Sequence, residues 1–240
     1  MKMRTTFLMS LVLVGLVTLP LWEVPTGAQN KPPTVQIPKA GVPQIMTMEG
    51  QYIRAAYNNE GYAILGYRLA NNSIGEEWML LEFGVTLRDG VPEYNLQRNA
   101  LTLDLPDGKT IPLASIEAHR SANLQSLRNR ERVIRDSINY FPPSATRPCR
   151  VGYFADLDPQ VRAAPFDEVN LSYNRACVGR LFFQVPGGIK YGQHWLNVKF
   201  AKSVIRVPFR ILTKEEEETL RENYKDIRKQ VQDAFRPAKG

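Results

Sequence analysis

From Arg180 to Leu212 the chain reads RLFFQVPGGIKYGQHWLNVKFAKSVIRVPFRIL, three apolar/polar alternations in 33 residues. Ile205, Val207, Phe209 and Ile211 fall on one side of an extended chain, and Arg206, Pro208 and Arg210 on the other. A period of two with one apolar face is the pattern of a half-buried antiparallel strand. Leu196, Val198 and Phe200 repeat it, as do Leu181, Phe183 and Val185. Pro186-Gly187-Gly188 supplies turn chemistry between the runs. Connections this short join hairpin neighbours, because a parallel crossover needs a dozen residues or more. Pro208 cannot donate to a ladder, so its strand belongs at an edge or carries a bulge. Arg206 and Arg210 would discourage another edge from pairing there.

The same period recurs upstream. Tyr52 to Tyr57 reads as a short strand, and Ala63, Leu65, Tyr67 and Leu69 alternate after it. The longest clean alternation is Met79, Leu81, Phe83, Val85 and Leu87, which marks a central core strand. Leu101, Leu103 and Leu105 lead into Pro106-Asp107-Gly108-Lys109, a hairpin signal, with Ile111 and Leu113 on the return. Val169, Leu171 and Tyr173 make one more short strand. Two segments break the pattern. Leu124, Leu127, Ile134 and Ile138 recur at helical spacing, with Glu131 interrupting the stripe, so one inserted helix is expected over 121–138. Residues 141–167 are Pro-rich and aperiodic, a long loop by the same reading. After Leu212, Thr213 and Glu216 form a capping box. Leu220, Tyr224, Ile227, Val231 and Phe235 then draw one apolar stripe along a C-terminal helix over 213–236. Such a stripe must pack on its own domain or serve as an interaction surface.

The first residues carry export chemistry. Lys2 and Arg4 precede a mostly apolar run from Phe7 to Leu21, and Thr26-Gly27-Ala28 offers a small-residue cleavage site. A signal peptide over 1–28 is expected, giving a periplasmic or secreted protein that begins near Gln29 with no stable membrane span. The competing reading is a retained anchor, against which stand Pro20 and the modest length of the run. Residues 29–50 contain four prolines and read as an extended arm ahead of a domain over 51–212. In an exported chain the two cysteines, Cys149 and Cys177, are expected to form a disulfide. The rival use of this pair, a metal site with His119 and His194, lacks any ligand-like spacing. The formal charge of +7 permits attraction to anionic surfaces, but no aromatic-basic platform accompanies it, so no nucleic-acid partner is expected.

No nucleophile elbow, phosphate loop or metalloprotease helix occurs. Asp156 and Asp158, with Asp167 and Glu168 beyond them, form an acidic grouping without a calcium-loop pattern. Tyr191, His194 and Trp195 are candidates for a ligand-lining surface. RLFFQVPGG, HWLNVKF and SVIRVPFRIL resemble the final strands of exported immunoglobulin-like domains, over residues 52–113 and 168–212. The resemblance implies a mostly β chain built on an antiparallel immunoglobulin-like sandwich, and the inserted helix and the C-terminal helix are departures from that plain sandwich. The cysteine positions depart from the antibody pattern, since Cys149 lies in the Pro-rich segment. The chain is therefore expected to be an exported, non-enzymatic binding or interaction module without a cofactor, engaging an envelope or extracellular protein partner. Two alternatives stay open: an assembly component of a cell-envelope complex that docks through the C-terminal helix, and a polysaccharide-acting enzyme using a pair of carboxylates.

Overall fold

A computed structural model describes residues 45–154 and 164–234. In chain order the strands are β1 (Ile45–Gly50), β2 (Ile53–Tyr57), β3 (Gly61–Gly66), β4 (Trp78–Leu87), β5 (Tyr94–Gln97), β6 (Leu101–Asp104), β7 (Thr110–Pro112), β8 (Arg147–Val151), β9 (Glu168–Leu171), β10 (Arg175–Gln184), β11 (Gly192–Lys199) and β12 (Val204–Ile211). Among the described residues five helices accompany them: α1 (Arg68–Asn71), α2 (Ile116–Ser121), α3 (Gln125–Val133), α4 (Lys214–Glu222) and α5 (Tyr224–Ala234). The strands form a six-stranded sheet in the order β1-β2-β3-β4-β10-β8, a four-stranded sheet β12-β11-β6-β7 and a β5-β9 pair. All pairings are antiparallel except β8 with β10.

Most period-two runs bury the faces they were expected to bury; the exceptions are Leu69, which lies in α1, and Tyr173, which is exposed beyond the end of β9. Met79, Leu81, Phe83, Val85 and Leu87 are all fully buried on β4, as are Ile205, Val207 and Ile211 on β12. One continuous apolar cluster takes Leu81, Phe83 and Leu181 from the larger sheet and Leu103, Leu196 and Phe209 from the smaller. Each such side chain contributes roughly 1.5–3 kcal/mol relative to exposure. Pro208 lies on β12, which is an edge strand of its sheet. The turn after Leu105 closes as a hairpin, with Leu105 N–H donating to Lys109 O at 2.8 Å. Cys149 and Cys177 are bonded. They sit opposite each other in the register of β8 and β10, so the disulfide staples an edge strand to its own sheet.

Elsewhere the structure departs from the sequence reading. Residues 45–50, read as the end of an arm, form β1, whose Met46 and Met48 are fully buried. The Pro-rich segment contains β8, compatible with Pro148 because β8 is an edge strand. The inserted helix expected over 121–138 is shorter, α3 alone over Gln125–Val133, and a separate helix, α2, precedes it. Ser115 caps α2 by accepting Ala118 N–H at 3.0 Å, and α3 ends at Val133. Ile138 does not extend a helical stripe. The chain after α3 runs as a strap across the outer face of the large sheet, where Ile138 joins Ile53, Ala55 and Ile64 in a small second cluster with Phe141 against it. The C-terminal helix is divided, at Asn223. The signal peptide, the arm up to residue 44, Asp156, Asp158 and Phe235 lie outside the described residues.

The C-terminal stripe turns inward. Leu220, Ile227 and Val231 are 6%, 5% and 3% exposed within the chain itself, and Tyr224 is half-buried. Thr213 and Glu216 complete their capping box, and Glu216 also accepts from Arg210 at 2.6 Å. Tyr52 Oη donates to Glu217 at 2.5 Å, and Arg228 pairs with Glu49 at 3.4 Å. These contacts fasten the helices to β12 and β1, strands of different sheets.

Candidate functional site

The strap creates the site. Gly66 on β3 and Gly84 on β4 leave room for it: a Cβ at Gly66 would lie 2.6 Å from Asp136 Cβ, and one at Gly84 would lie 2.8 Å from the Phe141 ring. Close approach of strap to sheet therefore requires glycine at both positions. Beside the strap, over β4, β10 and β8, opens a cleft of about 350 Å³ whose polar lining includes Glu82, Arg135, Asp136, Arg150 and Arg180.

Glu82 is the polar interruption in the run WMLLEFGVTL. The alternation that buries Leu81 and Phe83 turns it to the outer face, opposite Arg180 in the β4–β10 register. Its Oε2 accepts the Asp136 N–H at 2.8 Å. Burial raises the Glu82 carboxyl to about 7, an effect that the Asp136 N–H only partly offsets. Asp136, also in the lining, is tied to Arg68. It accepts the Arg68 N–H at 2.8 Å and pairs with Arg68 Nε at 3.2 Å, with its side chain 2% exposed. Burial raises its carboxyl too, and the Arg68 N–H opposes that shift. Glu131, with a side chain 3% exposed, pairs with Arg180 and lies 3.5 Å from Arg135 Nε. Two of the three carboxyls are thus closed off by arginines. The Arg135 side chain is 58% exposed and that of Arg180 26%, and Arg150 is exposed. Among the described residues the opening is lined by three guanidinium groups, two of them paired with Glu131, and by the Glu82 carboxyl.

This cluster makes a stability prediction with a defined sign. The folded chain holds a proton on Glu82 up to about 7, which the unfolded chain releases near 4.3. Glu82 therefore opposes folding increasingly as pH rises across that window. His119 and His194, each lowered to about 4 by burial, act in the opposite direction, since the unfolded chain takes up their protons first as pH falls. The Glu82 contribution is accordingly read as a difference. Glu82→Gln should be more stable than wild type by about 1 kcal/mol at pH 8, after allowance for solvent screening, and equal to it only at about pH 3.5, below the unfolded value. Urea denaturation at the two pH values checks this; an equal difference at both would reject it.

The other sequence candidates are dispersed. His194 is fully buried, stacked on Phe209 at 5.2 Å, with Nδ1 3.0 Å from Gly192 O. Trp195 points to the opposite face, where the Arg206 guanidinium lies 5.0 Å from its ring, and Tyr191 is exposed before the strand. Neighbouring residues of one strand cannot share a surface, so Tyr191, His194 and Trp195 form none. His119 is enclosed by Phe154 and Phe182, at 4.9 and 4.6 Å. With both thiols in the disulfide, the metal reading of the cysteines and histidines has no sulfur ligands. Glu168 accepts from Asn95 and Gln97 at 2.6 Å each.

A larger cleft of about 490 Å³ lies among the turns at 58–60, 90–94 and 201–203. Its floor is Glu60, 7% exposed, which accepts Lys202 N–H at 3.0 Å and the Ser203 hydroxyl at 2.7 Å. Asn58 Nδ2 donates to Ser203 Oγ at 2.8 Å. These polar groups satisfy one another and brace the turns, whereas the strap cleft turns charged groups outward. The signal for the strap cleft was present in the sequence as two charges in apolar patterns, Glu82 and Glu131. Their meeting was not legible, because the lining comes from segments far apart in the chain. No known family model, curated protein or solved structure matches the chain, so the functional reading rests on the geometry of this cleft.

Proposed function

We propose that the protein is an exported, non-enzymatic binding module whose ligand presents an oxyanion to the strap cleft. The observation that carries this reading is the convergence of Arg135, Arg150 and Arg180 on one opening, where Asp136 is engaged by Arg68 and one buried carboxyl, Glu131, is shared between Arg135 and Arg180. Guanidinium groups match the planar geometry of sulfate, phosphate and carboxylate groups. The framework in this reading is an immunoglobulin-like sandwich, supported by two largely antiparallel sheets over one core. Its disulfide departs from the antibody arrangement by lying within one sheet. Export is supported by Lys2, Arg4, the apolar run and Thr26-Gly27-Ala28, and the disulfide is compatible with an oxidising compartment. Among the described residues no helix is long and apolar enough to cross a membrane. Docking through the C-terminal stripe would require Leu220, Ile227 and Val231 to leave the core. Glycoside hydrolysis by paired carboxyls would need a second one open beside Glu82.

Sulfate is the probe for this proposal. At about 100 times its dissociation constant it should stabilise wild type by about 2.7 kcal/mol through binding. Sulfate also stabilises proteins generally by exclusion from their surfaces. The control is Arg135→Glu with Arg150→Glu, which reverses two exposed charges at the mouth. Its gain should fall to that general effect in thermal denaturation across a sulfate series, and identical gains in both proteins would overturn the proposal.

A further inference from the structure

We infer that Glu82 is the specificity-determining residue of the strap cleft, which takes an oxyanion more tightly when this carboxyl carries a proton. The inference rests on the anion-binding reading above and adds to it what the ligand must bring. Glu82 is held in place by the Asp136 N–H and faces Arg180 across the β4–β10 pair. A ligand that engages Arg180 must therefore sit against this carboxyl. Ionised, the carboxyl repels the ligand and competes for the guanidinium. Protonated, it becomes a hydroxyl donor aimed into the cleft. The proton comes from solvent on binding and returns to it on release, so the step is balanced without a further reactant.

The surroundings leave Glu82 in control of the charge. Arg180 faces it from β10 and Arg150 from β8, Glu131 comes from α3, and Arg135 and Asp136 from the strap that follows it. Behind Asp136 stand Arg68 from α1 and Arg54 from β2. Glu131 and Asp136 are each engaged by arginine. Burial places the Glu82 transition near 7 and keeps both histidines neutral until about 4. By linkage, the factor by which a proton strengthens anion binding equals the factor by which the anion strengthens proton binding.

Isothermal titration of the full mature chain with sulfate, which keeps both charges across the range, tests this. Wild type should bind about tenfold more tightly at about pH 5.5 than at about pH 8.5, the factor for one unit of linked pKa change. At neutral pH the heat should vary with buffer ionisation enthalpy, reporting proton uptake in a measurement that needs no variant. Glu82→Gln should bind with the tighter affinity at both pH values and take up no proton. Sulfate binding that is pH-independent in wild type, or that stays pH-dependent in Glu82→Gln, overturns the role of Glu82 and leaves the anion cleft standing. Absence of sulfate binding to wild type at both pH values overturns the cleft and this inference together.

Discussion

Replacing Ile227 by Asp should destabilise the isolated chain by about 4 kcal/mol, because it would bury a carboxylate beside Met48, Phe209 and Leu220, where the arginines of the same cavity, Arg54 and Arg210, are already engaged by Tyr67 and Glu216. Ile227 is 5% exposed on α5 and shares a small cavity of about 40 Å³ with Met48, Phe209 and Leu220. Met48 belongs to the six-stranded sheet and Phe209 to the four-stranded one. The helix therefore closes one side of the core where the two sheets meet, and a charge there disturbs both. Lys229→Asp changes charge at an exposed position of the same helix and should stay within about 0.5 kcal/mol of wild type. Urea denaturation of both variants, with sedimentation to record their association state, makes the comparison. A monomer of unchanged stability carrying Ile227→Asp would show that the stripe does not pack on its own sheets.

The second large effect is expected at the pair that underlies the cleft. Arg180→Leu removes the closest cation from Glu131, leaving a carboxyl 3% exposed with Arg135 at 3.5 Å as its remaining ion-pair partner among the described residues. Loss of one partner from a buried pair costs about 3–5 kcal/mol. The cost lies in the stranded charge rather than in the bond itself. The double replacement Arg180→Leu with Glu131→Leu should therefore recover most of the loss. A double variant no more stable than Arg180→Leu alone would mean that the arginine acts through packing of its stem and not through Glu131. Glu82, opposite Arg180 in the register, would also lose a neighbouring cation, so sulfate binding should weaken in the single variant.

Local patterning carried much of the framework. Ile205 to Ile211, Met79 to Leu87 and the hairpin at Pro106-Asp107-Gly108-Lys109 were legible because a strand with one buried face must alternate, and a tight turn needs particular backbone angles at particular residues. The same holds for the capping box at Thr213 and Glu216 and for the bond between Cys149 and Cys177. Each of these is decided within a few residues or, for the cysteines, by chemistry open to only one pair. Ile134 and Ile138 were misread for the complementary reason. Helical spacing states which residues could share a helix face, but the chain left the helix at Val133, and Ile138 found its apolar partners on Ile53, Ala55 and Ile64 of the sheet. That choice belongs to tertiary packing, which routinely overrides local propensity. Likewise β1 and β8 were hidden by neighbouring prolines until a sheet supplied partners for their edges. The cleft is the furthest removed from the sequence. Alternation placed Glu82 on the outer face of β4, but only the fold brought Arg135, Arg150 and Arg180 around it, through strand pairing and the passage of the strap over Gly66 and Gly84. Desolvation of a carboxyl depends on everything that surrounds it in space, so its charge near neutral pH was a property of the tertiary structure alone.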